Sequence, residues 1–407
     1  MQIPKYIPQF DFLRGVAVLL VMLFHASHDV QSFPMAVYIS FGWAGVDLFF
    51  VLSGFLITGI LFDTRDQKGY FANFYARRIL RIWPLYLALL GVMFLAVPAI
   101  APHWGAAAMG SAKPAWAFLL FVQNLAIGHV VTGPLSATWS LAVEEQFYFA
   151  WPLVIWLLPR KAIMRLAAAL IVGSPLLRLG LLLGHAHFSM YYNTLTRLDG
   201  LAVGSFLAIW LRDTEAATVK RWAVAMLPAA LIAAILLDQA WIRYLAVAVA
   251  SGAIVCLSFF MIPRNRFVQF TGRISYGLYL THLAAFGLAT KPELRRHYPH
   301  SPAFNDGAYL IAGLVMSYAI ASLSWFLFES QILRAKKWFG SSSEPARKER
   351  SPDFALPTPA PDQPGVVGSN LSGNFAPGAV AGVMQLENEM SIGGASDGTA
   401  TPVAVLG

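Results

Sequence analysis

The sequence holds little that could cross-link the chain or bind a metal. Its single cysteine, Cys256, excludes an intramolecular disulfide framework and a cysteine metal cluster. No stretch carries metal-ligand spacing, a glycine-rich phosphate loop or a G-x-S-x-G nucleophile turn. Nor is any internal repeat evident, which weighs against an inverted-repeat transporter. Charge is also scarce, at 12% of 407 residues, far below a soluble globular domain. What fills the chain instead is apolar: 57% of it is hydrophobic, in runs that recur from residue 15 to residue 332. Runs of about 20 such residues are what a bilayer core about 30 Å thick demands of a helix. The expected fold is therefore all-α, a polytopic transmembrane helical bundle.

Apolar segments lie near 13–31, 42–62, 80–100, 140–158, 163–184, 196–211, 222–237, 242–262, 274–290 and 308–332. An eleventh, "AWAFLLFVQNLAIG" at 115–128, is short for a span and reads as re-entrant or interfacial. With ten spans, nineteen basic residues flank one side and five the other, and the positive-inside rule makes the richer side cytoplasmic. Both termini then lie inside, in a multi-pass protein of the inner (cytoplasmic) membrane. The net charge of +8 is spread between apolar runs rather than gathered on one domain, which argues against nucleic acid as a partner. An arginine followed by about ten apolar residues also fits a cleaved leader, but the charge pattern favours the uncleaved arrangement. Residues 340–407 are rich in Pro, Gly, Ser and Ala and are expected to form a disordered cytoplasmic tail beyond a transmembrane domain at 1–339.

Several spans carry residues that hydrocarbon penalises by about 2.5–3.5 kcal/mol at a helix centre. In "LRGVAVLLVMLFHASHD", Arg14 and His25 are eleven residues apart. They fall within about 20° of each other on a helix and about 16 Å apart along it. His28 follows near the same stripe. The structural alternative makes Arg14 a topological anchor and His25 a hydrogen-bonded core histidine. In "FYARRILRIWP", Arg78 and Arg81 are neighbours on one helix face with Arg77 beside them. Such a fork suits a ligand with several phosphates, or lipid headgroups. In "TWSLAVEEQFYFAWPL", the adjacent carboxylates Glu144 and Glu145 point about 100° apart, so at least one should face the interior. There it could orient an imidazole, accept a hydroxyl proton, or pair with Arg178 or Arg197. Asp47, Trp139, Tyr148, Ser275, Tyr279 and His282 are further candidates for contact with substrate, and Arg197 with Asp199 reads as a structural ion pair. Ser275 and His282 are too far apart along a helix, about 10 Å, to form a nucleophile pair directly.

The ordered run "FDFLRGVAVLLVMLFHA", "GVDLFFVLSGFLITG", "FYARRILRIWPLY", "TWSLAVEEQFYFAWPL", "RLDGLAVGS" and "ISYGLYLTHL" resembles the acyltransferase-3 family of integral membrane acyltransferases. The resemblance covers about residues 8–335. It implies ten spans and transfer of an acyl group, often acetyl from acetyl-CoA, to a hydroxyl of a glycan, lipid-linked sugar or similar extracytoplasmic acceptor, without a metal. It also implies that His25 is the catalytic histidine with Arg14 as its partner, that Arg78 and Arg81 bind coenzyme A, and that Glu144 and Glu145 form the family's glutamate motif. "FESQ" departs from the pattern, with Gln331 where proline is expected.

The mechanism expected from this reading brings coenzyme A in from the cytosol, its phosphates on Arg78, Arg81 and Arg14. Its pantetheine arm would follow the polar stripe to His25. His25 would act as general base on the acceptor hydroxyl, its tautomer fixed by Glu144 or Glu145; an acyl-histidine route stays open. The competing class is a transporter or flippase that uses the same His, Arg and Glu residues as a proton or substrate path. A third is a scaffold whose buried charges only lock helix packing.

Overall fold

A computed structural model describes residues 7–28, 30, 40–101, 114–125, 133–185, 189–261, 265–289 and 301–339. The tail expected at 340–407 and part of the loop-borne positive charge lie outside these residues. Among them there is no strand, and the fold is all-α. The principal helices are α1 (Pro8–Ser27), α2 (Ala44–Thr64), α3 (Tyr70–Gly91), α4 (Ala115–Leu119), α5 (Thr138–Leu157) and α6 (Arg160–Leu183). They continue with α7 (Leu198–Asp213), α8 (Ala216–Leu236), α9 (Ala240–Ser258), α10 (Arg266–Arg273), α11 (Ser275–Leu288) and α12 (Pro302–Ser324).

Seven helical stretches among the described residues are long and apolar enough to cross a bilayer: 8–27, 41–64, 70–100, 160–183, 216–236, 240–258 and 302–339. Helices α5, α7 and α11, which the sequence also reads as spans, are more polar or shorter, and they bury Thr138, Ser140, Asp199, Ser205, Ser275, Thr281 and His282. The third span begins earlier than expected. Hydropathy is interrupted by Arg77, Arg78 and Arg81, so the sequence reading starts the apolar run near residue 80, yet α3 starts at Tyr70, just after Gly69 at φ +76°. The three arginines are therefore two turns and more inside the helix. The described part of the 115–128 segment, residues 115–125, does not span. Its helix ends at Leu119, Phe121 turns the chain at φ +55°, and buried Gln123 donates to the Thr138 carbonyl at 3.0 Å.

Helices α2 and α7 approach more closely than ordinary side chains allow. A Cβ on Gly54 would overlap the Leu201 carbonyl, and one on Gly204 would overlap the Val51 carbonyl. Small residues at membrane helix crossings permit this close contact, and van der Waals packing then holds the pair. At that crossing Thr58 donates to Ser205 at 2.9 Å, and Trp151 of α5 donates to Thr58 at 2.8 Å, so three helices share one buried polar knot. Helix α1 meets α10 in the same way, since a Cβ on Gly272 would overlap the Asp11 carbonyl.

Two buried ion pairs lock the other end of α7, and they correct the expected pairing. Arg197 does not bond Asp199. Residues two apart at a helix start point to opposite sides, so Arg197 reaches Asp47 of α2, with both carboxylate oxygens at 3.0 Å, and Asp199 takes Arg178 of α6 at 2.7 Å. All four side chains are at most 1% exposed. Arg178 also donates to the carbonyls of Trp241 and Thr196, which ties α6, α7 and α9 together. Removing one partner of such a pair leaves an uncompensated charge in a place water cannot reach, a loss of about 3–5 kcal/mol. Arg197→Met should accordingly lower the unfolding temperature of detergent-solubilised protein, and adding Asp47→Leu to that variant should recover most of the drop.

Candidate active site

Three cavities run in series between the helices and share walls. The first, about 600 Å³, is lined by Arg14, Arg77, Arg78, Arg212 and Lys336 among others. Arg14 and Arg78 also line the second, a narrow cavity of about 120 Å³ that includes Arg81, Ser53, Glu144, Tyr148 and Ser275. Val46 and Tyr279 are common to the second and the third. The third, about 570 Å³, holds His25 and His28 against an aromatic wall of Trp43, Trp139, Tyr191 and Tyr244. Arg14 and His25 thus line opposite ends of this series, as their shared helix stripe predicts. Arg14 bonds Asp11 at 3.4 Å.

Arg78, shared by the first two cavities, and Arg81 of the second are held by rings. The Arg78 guanidinium lies 5.5 Å from the Tyr148 ring and 5.8 Å from Phe74, and Arg81 lies 5.7 Å from Trp325 and 5.8 Å from Tyr276. A cation over a π face is stabilised without consuming its N–H donors, which stay directed at whatever fills the cavity. Arg77 is different, because its Nε donates to the Phe339 carbonyl at 2.8 Å. That contact brings the end of the α12 continuation, and with it Lys336, to the cavity. Lys336 was not legible beforehand because a lysine beyond the last span looks like any other cytoplasmic anchor.

The glutamates do not reach His25, contrary to the expected tautomer-fixing role. Glu144 accepts from Ser53 at 2.5 Å in the middle cavity, and Glu145 accepts from Trp83 at 3.3 Å. Neither pairs with Arg178 or Arg197, which are taken by Asp199 and Asp47. Both carboxylates follow the α5 face turned to α2 and α3, whereas His25 faces α11. Asp47 lines none of the three cavities, since its carboxylate is spent on Arg197. Trp139 lines the third cavity, Tyr148 and Ser275 the second, and Tyr279 both. The Tyr279 hydroxyl lies 2.5 Å from that of Ser140 and donates to the Ala137 carbonyl at 3.1 Å, which fixes the ring between the two cavities.

His282 is not in a cavity wall either. It is fully buried, and its Nε2 lies 3.1 Å from His25 Nδ1. The tautomers follow from the carbonyls. His282 Nδ1 is 2.8 Å from the Tyr279 carbonyl and His25 Nδ1 is 2.9 Å from the Val21 carbonyl. A carbonyl only accepts, so both rings carry their proton on Nδ1. His25 Nδ1–H then divides between the Val21 carbonyl and His282 Nε2, and the lone pair of His25 is on Nε2. That nitrogen has no bond to another described residue. Diethylpyrocarbonate, which acylates an imidazole nitrogen bearing a lone pair, should therefore modify His25 and spare His282. Peptide mass mapping of detergent-solubilised protein reads both sites, and preferential modification of His282 would contradict the arrangement.

Comparison with known proteins accords with this geometry. A family model described as an acyltransferase domain matches residues 7–326. The O-acetyltransferase OatA of Staphylococcus aureus is 34% identical over 228 residues, 52% of this chain and 36% of that protein. The peptidoglycan O-acetyltransferase OatA of Listeria monocytogenes is 30% identical over 243 residues, 55% of this chain and 37% of that protein. The chain thus aligns with little more than a third of the length of these relatives, and no solved structure matches it. With five of its six ordered motifs contributing to the walls of one cavity series and the family model spanning most of its length, the chain belongs to the acyltransferase-3 family of integral membrane proteins.

Proposed function

We propose that this chain is a membrane O-acetyltransferase that moves an acetyl group from acetyl-CoA, on the cytoplasmic side, to a hydroxyl of an extracytoplasmic glycan such as peptidoglycan. The observation that carries the reading is the cavity series that joins a cluster of cations to His25. The names of the relatives support the acyl group and the acceptor class. The positive-inside rule supports a cytoplasmic face at the arginine end of an inner-membrane protein.

The residues present fit a coenzyme A thioester. Its phosphates suit the first cavity, where Arg14, Arg78 and Lys336 face one space and where guanidinium forks match phosphate oxygens. Arg81, in the second cavity, extends the cationic wall inward. The second cavity is of a size for the slender thiol arm and not for the nucleotide. Trp139, Tyr191 and Tyr244 offer flat faces for a sugar ring at the far side. His25 Nε2 takes the acceptor hydroxyl's proton as its oxygen bonds to the acyl carbon. The carbon–sulfur bond breaks, and the same proton passes to the departing sulfur. Each binding step uses a different cavity, so donor and acceptor approach His25 from opposite sides of the membrane.

A transporter built on the same residues would move substrate without releasing free thiol. Purified protein given acetyl-CoA and solubilised peptidoglycan strands should release thiol and yield O-acetylated glycan; substrate movement without either product would favour the transporter. His25→Ala should lower the transfer rate by about 10²–10⁴-fold and leave coenzyme A affinity near that of the unaltered protein. Arg78→Ala with Arg81→Ala should do the reverse. Each charge-assisted hydrogen bond contributes about 1.5–3 kcal/mol, so coenzyme A binding measured by calorimetry should weaken at least about 100-fold.

A further inference from the structure

We infer that His282 is the positioning residue of His25, filling the place that a carboxylate takes in a hydrolase triad. The proposal rests on His25 as the base. A base that takes a proton on Nε2 becomes an imidazolium, and its charge is shared with the N–H on the other nitrogen. An acceptor at that N–H holds the ring at the right angle and stabilises the charge as it forms. Sequence motifs suggest a glutamate there, but Glu144 bonds Ser53, Glu145 bonds Trp83 and Asp47 bonds Arg197. Among the described residues, the side-chain acceptor on His25 Nδ1 is His282 Nε2 at 3.1 Å, with the rings 5.0 Å apart and inclined at 51°.

The environment of His282 suits this duty. Its Nδ1–H is engaged by the Tyr279 carbonyl at 2.8 Å, which leaves Nε2 as a fixed acceptor that cannot swap tautomers without losing that bond. The side chain is 0% exposed, so no water competes for the contact. A carboxylate at the same point would be an unpaired buried charge whenever His25 is neutral, several kcal/mol worse than in water, whereas an imidazole costs nothing comparable. The backbone supports the register. Gly272 seats α10 against α1 beside Asp11, three residues before α11 begins, and Tyr279 anchors α11 to α5 through Ser140 and the Ala137 carbonyl. His282 therefore meets His25 across two helices that are pinned on both sides.

A purely structural pin between α1 and α11 would predict loss of folding and of both substrates' binding together. Positioning predicts a split. In the full-length protein with acetyl-CoA and solubilised peptidoglycan strands, His282→Leu should reduce kcat about 100-fold with KM for both substrates unchanged. His282→Asn, which keeps a bond to the Tyr279 carbonyl but falls short of His25, should lose as much and tests the idea if the leucine variant does not fold. His282→Gln carries an acceptor to the position of Nε2 and should stay within about 10-fold of the unaltered protein. Full kcat in either the Leu or the Asn variant, or equal losses in Asn and Gln, overturns the proposal. An inactive His25→Ala beside a fully active His282→Leu overturns it alone, whereas a fully active His25→Ala removes the base and this proposal together.

Discussion

Hydrocarbon tolerates polar side chains only when they are paired or turned away from lipid, and the architecture of this protein is a response to that constraint. Helices α5, α7 and α11 carry Glu144, Glu145, Asp199, Ser205 and His282, and they are short or polar for a span. Seven more apolar stretches accompany them. The polar side chains therefore gather inward, and the gaps they leave among themselves are the cavities. Close crossings at Gly54 and Gly204 bring backbones near enough that α2 and α7 need no large side chains between them. The space saved at that crossing is consistent with open space one face away, where Ser53 and Glu144 line the narrow passage.

The arginines divide into two kinds by what they touch, and the division separates support from chemistry. Arg178 and Arg197 are wholly buried and bonded to carboxylates, and Arg160 and Arg212 pair with Asp213 and Asp63 nearer the surface. Those guanidinium groups already have their anions. Arg78 and Arg81 sit over aromatic faces, as those four also do, but have no carboxylate bonded to them among the described residues. Cation–π contacts stabilise the charge and fix its position, but a hydrogen-bonding anion is still the better partner for the N–H donors. Arg78 and Arg81, on a cavity wall with no carboxylate bonded to them among the described residues, are poised to bind, whereas Arg178 and Arg197, each bonded to an aspartate of another helix, hold helices together.

Much of this was legible from the chain alone, and the limits have a clear physical origin. Helical periodicity put Arg14 and His25 on one stripe and Arg78 and Arg81 on one face, because those relations are local and depend only on 100° per residue. Hydropathy and length found the helices and kept 115–128 from counting as a span. What could not be read were contacts between residues far apart in sequence. His25 and His282 are 257 residues apart, and Arg197 and Asp47 are 150 apart. The adjacency of Arg197 and Asp199 invited the wrong pairing, since nearness along the chain says little where a helix begins. Similarly, the Glu144–Glu145 doublet drew attention toward the histidine although its helix faces α2 and α3. Only the start of α3 was misjudged locally, because three arginines inside a helix resemble a boundary on any hydropathy scale.

The narrowness of the middle cavity sets the remaining logic of the site. At about 120 Å³ between spaces of about 600 and 570 Å³, it separates two chambers that would together be an open path across the bilayer. This cavity is pinned by Ser53 to Glu144 and by Ser140 to Tyr279. On the proposed reading, each large substrate is confined to its own side, and only the acyl-bearing thread passes between them. The reacting centre must then lie at the far mouth of the passage, where the thread emerges and the acceptor can meet it. His25 lines the third chamber, and its Nδ1 is held by the Val21 carbonyl and His282.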